Sequence, residues 1–389
     1  MGKLNLMRWI LVSEVPLDER NGAGMRAVLP YLCTLKEGQL SSLYLSEQSH
    51  IGMGLQEIQY MEVPYRNRLG QRIPSIFFGT LKQIFCHFSR KDHFFVLPNS
   101  IRDVVMGLAC RLFSPRVTVW VMDDFIETYA WKGRAYRWLC SKIFQLLYTT
   151  ASQRIVVSQA MSDSYEKTYG KKADAILGRT LSRALPPQVR QKEENLDSRE
   201  KKLRFVYVGS FIHHYAQPIL LMKEILQNSP EALGSIDIQI DLYGMIPPPA
   251  EWLLPEKIQY LGAVPSAPPD TLLKTLNSYD YGLIPYQFTT DTERMMSLSF
   301  PSKLIDYLGA SLPTIIFSPP GLSFLKLAQS KNIGLIFTAL SRKTLIQCMQ
   351  QLSSLDPETY TQWQHNAYRW ALEDFLFNSV KINQILYHR

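Results

Sequence analysis

Short apolar runs recur along this chain, each followed by a stretch with helical spacing, and the rhythm occurs in two separate series. Trp9–Ser13, Ser42–Leu45, Phe94–Leu97, Val117–Val121 and Arg154–Ser158 read as buried strands, with helical stretches such as Met25–Lys36 and Ala135–Thr149 between them. A second series starts at Leu203–Gly209 and continues through Ile236–Tyr243, Ile258–Leu261, Tyr281–Pro285, Thr314–Phe317 and Gly334–Phe337. Strand–helix–strand repetition folds as a doubly wound parallel sheet covered on both faces. Between the series, Pro186-Pro187 and the charged run Arg190–Lys202 read as a linker. The expected organisation is an α/β domain over residues 1–185, a linker over 186–202 and a second α/β domain over 203–356. A C-terminal helical segment, 357–389, is expected to pack back on the first domain.

A chain of 389 residues is too long for one typical core, which agrees with two domains. Hydrophobic content of 46% and charged content of 20% exclude a disordered chain. No apolar run is long enough to cross a membrane, and Met7–Ser13 reads as a first strand, not a leader. Cys33, Cys86, Cys110, Cys140 and Cys348 are scattered without metal-ligand spacing. A reduced, cytoplasmic setting and no metal are therefore expected.

The net charge of +8 is uneven. Residues 1–185 carry 24 Lys and Arg against 15 Asp and Glu, whereas residues 186–389 carry 18 against 19. Val63–Lys91 holds no acidic residue, and neither does Thr128–Ser162. In the first of these, Ile76, Phe77, Leu81, Ile84, Phe85 and Phe88 fall on one broad helical face beside Arg72 and Lys82. Two readings stand together: docking on an anionic membrane surface at the inner face, or core helices with solvated basic sides. No nucleic-acid motif is present, and no nucleic-acid partner is expected.

Ser299–Phe317 carries the most chemistry. Pro301 suits a first helical position, and Ser302 and Lys303 then lie in the first turn, where free backbone N–H groups and an ammonium make an anion site. Asp306 follows one turn on, placed for ribose hydroxyls. In the first half, Asn21–Arg26 brings Gly22 and Gly24 to a loop before a helix, where a backbone can approach a ligand. Asp123 and Asp124 end the strand Val119–Val121, at the carboxyl edge where such sheets bind ligands. Either could orient or deprotonate an acceptor hydroxyl; an N-cap or ion pair is the structural alternative.

Ser299–Phe317 resembles the donor-site helix of GT-B glycosyltransferases, especially family 4 and its relatives, which often read Pro-x-Lys-Leu-x-Glu-Tyr-x-x-x-Gly-x-Pro. Asp306 stands where the family usually has Glu, and Ser311 where it often has Gly. Val206–Gly209, Asp241–Gly244, Tyr260–Pro265 and Ser278–Tyr286 resemble further family segments, in family order. The resemblance implies two Rossmann-like domains facing across a cleft. It also implies transfer of a sugar from a nucleotide diphosphate-sugar to a hydroxyl of a glycan or lipid-linked acceptor. Such a hexosyltransferase would be retaining and metal-independent, and would need no cofactor beyond its donor. The implied donor contacts are Gly22, Gly24, Gly209, Val264, Ser302, Lys303, Leu304 and Asp306.

The chain departs from the family where it usually has an Arg and a Lys for the diphosphate. Those places fall at Ser210 and near Ala216, and the earlier family Glu falls at Leu298. His213, His214, Arg294 or Lys303 are the candidates to replace the cations. The departures leave a catalytically silent GT-B binding protein open, and behind it a nucleotide-sugar 2-epimerase.

Overall fold

The computed structural model describes residues 8–14, 31–32, 40–45, 59–63, 72–127, 133–187, 201–234, 236–264 and 271–378. The chain divides into two compact units. The first holds the described residues up to Arg179 together with Leu298–Phe300 and Asn378; the second holds Thr180–Ser297 and Pro301–Phe377. The division thus falls at Arg179, and residues 180–185 go with the second unit.

In the first unit the strands are β1 (Trp9–Val12), β2 (Leu40–Leu45), β3 (Gln59–Val63), β4 (His93–Val96), β5 (Val117–Val121), β6 (Gln153–Val156) and β7 (Ala175–Ile176). They form one sheet in the order β3-β2-β1-β4-β5-β6-β7, and every pairing is parallel. β1, β2 and β5 are buried along their whole length, as a sheet covered on both faces requires. Helices α1 (Arg72–His87), α2 (Ile101–Phe113), α3 (Arg134–Thr150) and α4 (Gln159–Tyr169) complete the described part. α2 starts with a capping box: the Ser100 hydroxyl accepts from the Arg102 and Asp103 N–H groups, and the Asp103 carboxylate accepts the Ser100 N–H at 2.8 Å.

α1 buries Ile76, Thr80 and Ile84, and Phe88 just past its end continues this line with i, i+4 spacing. The broad face expected from the sequence is narrower than that. Phe85 stands 66% exposed, touching Phe113 only edge-on, because it lies beyond the buried line.

The second unit contains β8 (Lys201–Val208), α5 (Ala216–Asn228), β9 (Ile236–Tyr243), β10 (Ile258–Tyr260), α6 (Thr271–Asn277), β11 (Tyr281–Pro285), α7 (Thr290–Met296), α8 (Ser302–Gly309), β12 (Thr314–Phe317), α9 (Phe324–Lys331), β13 (Gly334–Phe337), α10 (Arg342–Ser353) and α11 (Pro357–Trp370). The parallel sheet runs β10-β9-β8-β11-β12-β13. β8 begins at Lys201, paired with Ile236, so the last two residues read as linker belong to a strand. Residues 357–377, expected against the first domain, lie in the second unit. α11 packs on α8, burying Trp363, Ala367 and Trp370 at i, i+4, i+7, and the Phe377 N–H donates to the Leu181 carbonyl at 2.9 Å. No described helix is long and apolar enough to cross a membrane.

Both sheets reverse direction of winding once, between β1 and β4 in the first unit and between β8 and β11 in the second. That reversal opens a crevice at the carboxyl ends of the two central strands, the place where such sheets bind ligands.

Candidate functional site

In the second unit, β8 and β11 pair only through Tyr281 with Phe205 and Gly282 with Val206, and the strands part beyond that. Tyr307 of α8 fills the opening. Its ring lies on Gly282, where a Cβ would stand 2.5 Å from the ring. Its hydroxyl is 3.2 Å from the Val206 and Leu283 carbonyls, and accepts the Val208 N–H at 3.3 Å. One tyrosine therefore pins α8 over the switch point and directs the helix start to the carboxyl edge.

Pro301 is the N-cap of α8, with φ −66° and ψ 111°, one place earlier than the sequence suggests. Its φ would suit a helix, but its ψ is extended, so Ser302 is the first helical residue. Ser302 is half-buried, whereas Leu304 is fully buried and packs the helix down. Two residues past the end of α8, Ser311 lies in the left-handed region, φ 52°, which favours a glycine; here its hydroxyl donates to the Leu185 carbonyl.

Lys303 is buried, not solvated. Its Nζ lies 3.7 Å from the centre of the Tyr215 ring and 4.8 Å from that of Tyr207. Burial pushes its pKa down to about 7, against which the nearby Asp306 carboxylate acts. Asp306 is itself buried. Gly209 closes β8 with φ 147°, a value that favours glycine, and a Cβ there would stand 3.2 Å from Lys303 Cε. Gly209, Lys303, Tyr215 and Asp306 thus share one corner at the carboxyl edge.

The other sequence candidates fall as follows. His213 is exposed in a 3-10 turn, His213–Tyr215, and its ring centre is 3.7 Å from that of His214. His214 is buried, with Nδ1 2.8 Å from the Thr292 hydroxyl, and burial followed by the His213 charge lowers its pKa. Arg294 is exposed on α7 and pairs with Asp291 at 3.1 Å. Val264 is half-buried in the loop after β10. Gly22 and Gly24 lie outside the described residues. Tyr207, near the end of β8, and Tyr215, in the turn after it, house the lysine and escaped sequence reasoning; aromatic residues there carry no signal of a cation until the fold brings one to them.

In the first unit, Asp123 is exposed in the turn after β5. Asp124 is half-buried and accepts the Ile126 N–H at 3.1 Å, with the Tyr165 hydroxyl at 3.4 Å. Burial raises its pKa and the Ile126 N–H opposes this. Asp124 therefore holds the turn, while the Asp123 carboxylate lies 3.5 Å from the Ser299 hydroxyl, and desolvation of that carboxylate raises its pKa against the Ser299 contact. Among the described residues no group of three or more His, Cys, Asp and Glu is placed to hold a metal.

Comparison with known proteins agrees with this architecture. Residues 227–373 match the family model described as glucosyltransferase 3-like, C-terminal domain. No curated protein matches the chain by sequence. Among solved structures, a sucrose-phosphate synthase from Thermosynechococcus elongatus aligns with TM-score 0.68 at 11% identity, covering 97% of this chain and 98% of that one. Anabaena HepE in complex with UDP-glucose aligns at 0.64 with 13% identity, covering 98% of each chain. WaaG, a glycosyltransferase involved in lipopolysaccharide biosynthesis, aligns at 0.61 with 11% identity, covering 98% of this chain and 100% of its own. The two doubly wound parallel-sheet units are those of the GT-B glycosyltransferase fold, and the match to the glucosyltransferase 3-like model lies, apart from Leu298–Phe300, within the second unit.

Proposed function

We propose that the protein is a glycosyltransferase that takes its donor, a nucleotide diphosphate-sugar, at the carboxyl edge of the second unit and passes the sugar to a hydroxyl of a glycan or lipid-linked acceptor. The observation that carries this is the corner formed by Gly209, Lys303, Tyr215 and Asp306 at the switch point. HepE, a structural neighbour, has been seen with UDP-glucose, which makes a uridine donor the first to try.

As the sugar leaves, negative charge gathers on the diphosphate. The Ser302 and Lys303 N–H groups and the Lys303 ammonium meet that charge, and the glycine at 209 lets phosphate oxygens approach the backbone. Lys303 stands in for the cations that the family has at the places of Ser210 and Ala216. Asp306 binds ribose hydroxyls, and Asp123 orients the acceptor hydroxyl. Charge handled in this way requires no metal, and by analogy with family 4 the anomeric configuration is retained.

A thermal-shift screen against UDP, GDP, ADP, CMP and their sugar conjugates tests the reading. A ligand at about 100 times its Kd stabilises by about 2.7 kcal/mol. A shift with one nucleotide, absent in Asp306→Ala, supports it. The neutral residues at Ser210 and Ala216 favour one alternative, a silent GT-B binding protein, and sugar transfer by the purified protein eliminates that.

A further inference from the structure

The outer face of the first unit carries a pattern that donor chemistry does not use. α2 packs against both α1 and α3, so the three helices form one layer on the sheet, sharing a core with Ile76, Val104 and Phe144. On α1 the outward stripe is Phe78, Lys82 and Phe85, with both phenylalanines 66% exposed. On α3 it is Trp138 and Leu139, then Lys142, then Leu146, with Trp138 63% exposed. Each helix thus offers apolar side chains on either side of a lysine, at i, i+3 or i, i+4 spacing.

Basic side chains dominate around these stripes, although Arg137 of α3 is paired with Glu127. Neither α1 nor α3 contains an acidic residue. Over residues 72–122 the acidic side chains are Asp92 and Asp103, and both are buried. Residues 133–162 contain none. Exposed basic residues of the same two stretches are Lys82, Arg90, Lys91, Arg134 and Lys142.

We propose that this face docks the protein on the surface of an anionic phospholipid bilayer. Phe78, Phe85, Trp138 and Leu146 enter the headgroup boundary, and the lysines and arginines meet lipid phosphates. Aromatic and long apolar side chains flanked by basic ones suit that boundary, and a predominantly basic rim selects negative lipid. Exposed large apolar side chains grouped in this way mark an interaction surface, and the surrounding charge complements a membrane rather than a second copy of the same positive face. The inference rests on the first unit alone and is independent of the donor-site reading.

The test is co-sedimentation of the full chain with phosphatidylcholine vesicles, with and without phosphatidylglycerol, at low and high salt. Wild type should sediment only with the anionic vesicles, and less as salt rises. Lys82→Glu with Lys142→Glu, and separately Phe78→Ser with Trp138→Ser, should each weaken binding by more than about tenfold. All variants should keep the wild-type melting temperature and any melting shift with nucleotide-sugar. Binding without preference for anionic lipid, no binding, or binding untouched by either pair overturns the proposal. So does a wild-type dimer, seen by sedimentation equilibrium, that either pair turns into monomer.

Discussion

The Lys303 ammonium lies 3.7 Å from the centre of the Tyr215 ring, buried beside the glycine that ends the first strand of the second sheet. A cation held this way loses most of its hydration and recovers only part of it from the ring faces and from Asp306. It is poised to gain from an incoming anion.

Replacing it tests that directly. Lys303→Met keeps the stem that packs against Tyr207 and Tyr215 and removes the poorly solvated amine. The variant should melt no lower than wild type, yet bind the nucleotide-sugar at least about tenfold more weakly, as loss of a charge-assisted contact implies. Thermal unfolding and calorimetry read both quantities. A fall in stability with unchanged affinity would make the lysine a structural element.

The titration of Lys303 gives a pH dependence with a definite sign. Its folded pKa, about 7, lies below the unfolded value of 10.5. Between these values the unfolded chain holds a proton that the folded chain has released, so this group makes stability rise with pH from about 7 toward 10. Below pH 7 its full unfavourable contribution is present. A bound diphosphate favours the ammonium and raises its pKa, so binding above pH 7 takes up a proton. A nucleotide-sugar is the right probe, because its doubly esterified diphosphate does not titrate near neutrality. Calorimetry in buffers of different ionisation enthalpy should show proton uptake in wild type and none in Lys303→Met.

Gly209→Ala imposes a side chain at φ 147° and places its Cβ 3.2 Å from Lys303 Cε. The backbone cost alone is about 1–3 kcal/mol. Denaturant unfolding should report a loss of that size, and affinity for the donor should fall with it because the lysine must move.

The adjacent carboxylates should separate by readout. Asp124→Asn alters the group that accepts the Ile126 N–H and should cost about 1 kcal/mol of stability. Asp123→Asn keeps an oxygen that can accept the Ser299 hydroxyl and removes the charge, so it should leave the melting temperature alone while lowering kcat in a transfer assay. Equal stability losses in both would remove Asp123 from the acceptor side.

Much of the architecture was open to sequence reading because covered parallel strands such as Tyr281–Pro285 and Thr314–Phe317 are short apolar runs, and Ile236–Tyr243 shows as an alternation of apolar and polar residues. Ile236–Tyr243, Tyr281–Pro285, Thr314–Phe317 and Gly334–Phe337 coincide with β9, β11, β12 and β13. β3 and β7 went unread: Gln59–Val63 includes Gln59 and Glu62, and Ala175–Ile176 is only two residues long. Helix faces were less legible. Phe85 fits the apolar face of α1 by periodicity, but the width of the buried stripe is set by neighbouring helices, which sequence spacing does not contain. The donor helix could be located, but not the inward turn of Lys303. A lysine at a helix start ordinarily points to water, and only the arrival of Tyr207 and Tyr215 from β8 and the turn after it makes a buried position tolerable.

The central claim is that the Lys303 corner is the diphosphate site. The most direct measurement is calorimetric titration of the nucleotide-sugar found by the melting screen into wild type, Lys303→Met and Asp306→Ala. The account predicts saturable binding to wild type, lost by at least about tenfold in each variant while their folds persist. Wild-type affinity in both variants would contradict it and place the diphosphate elsewhere.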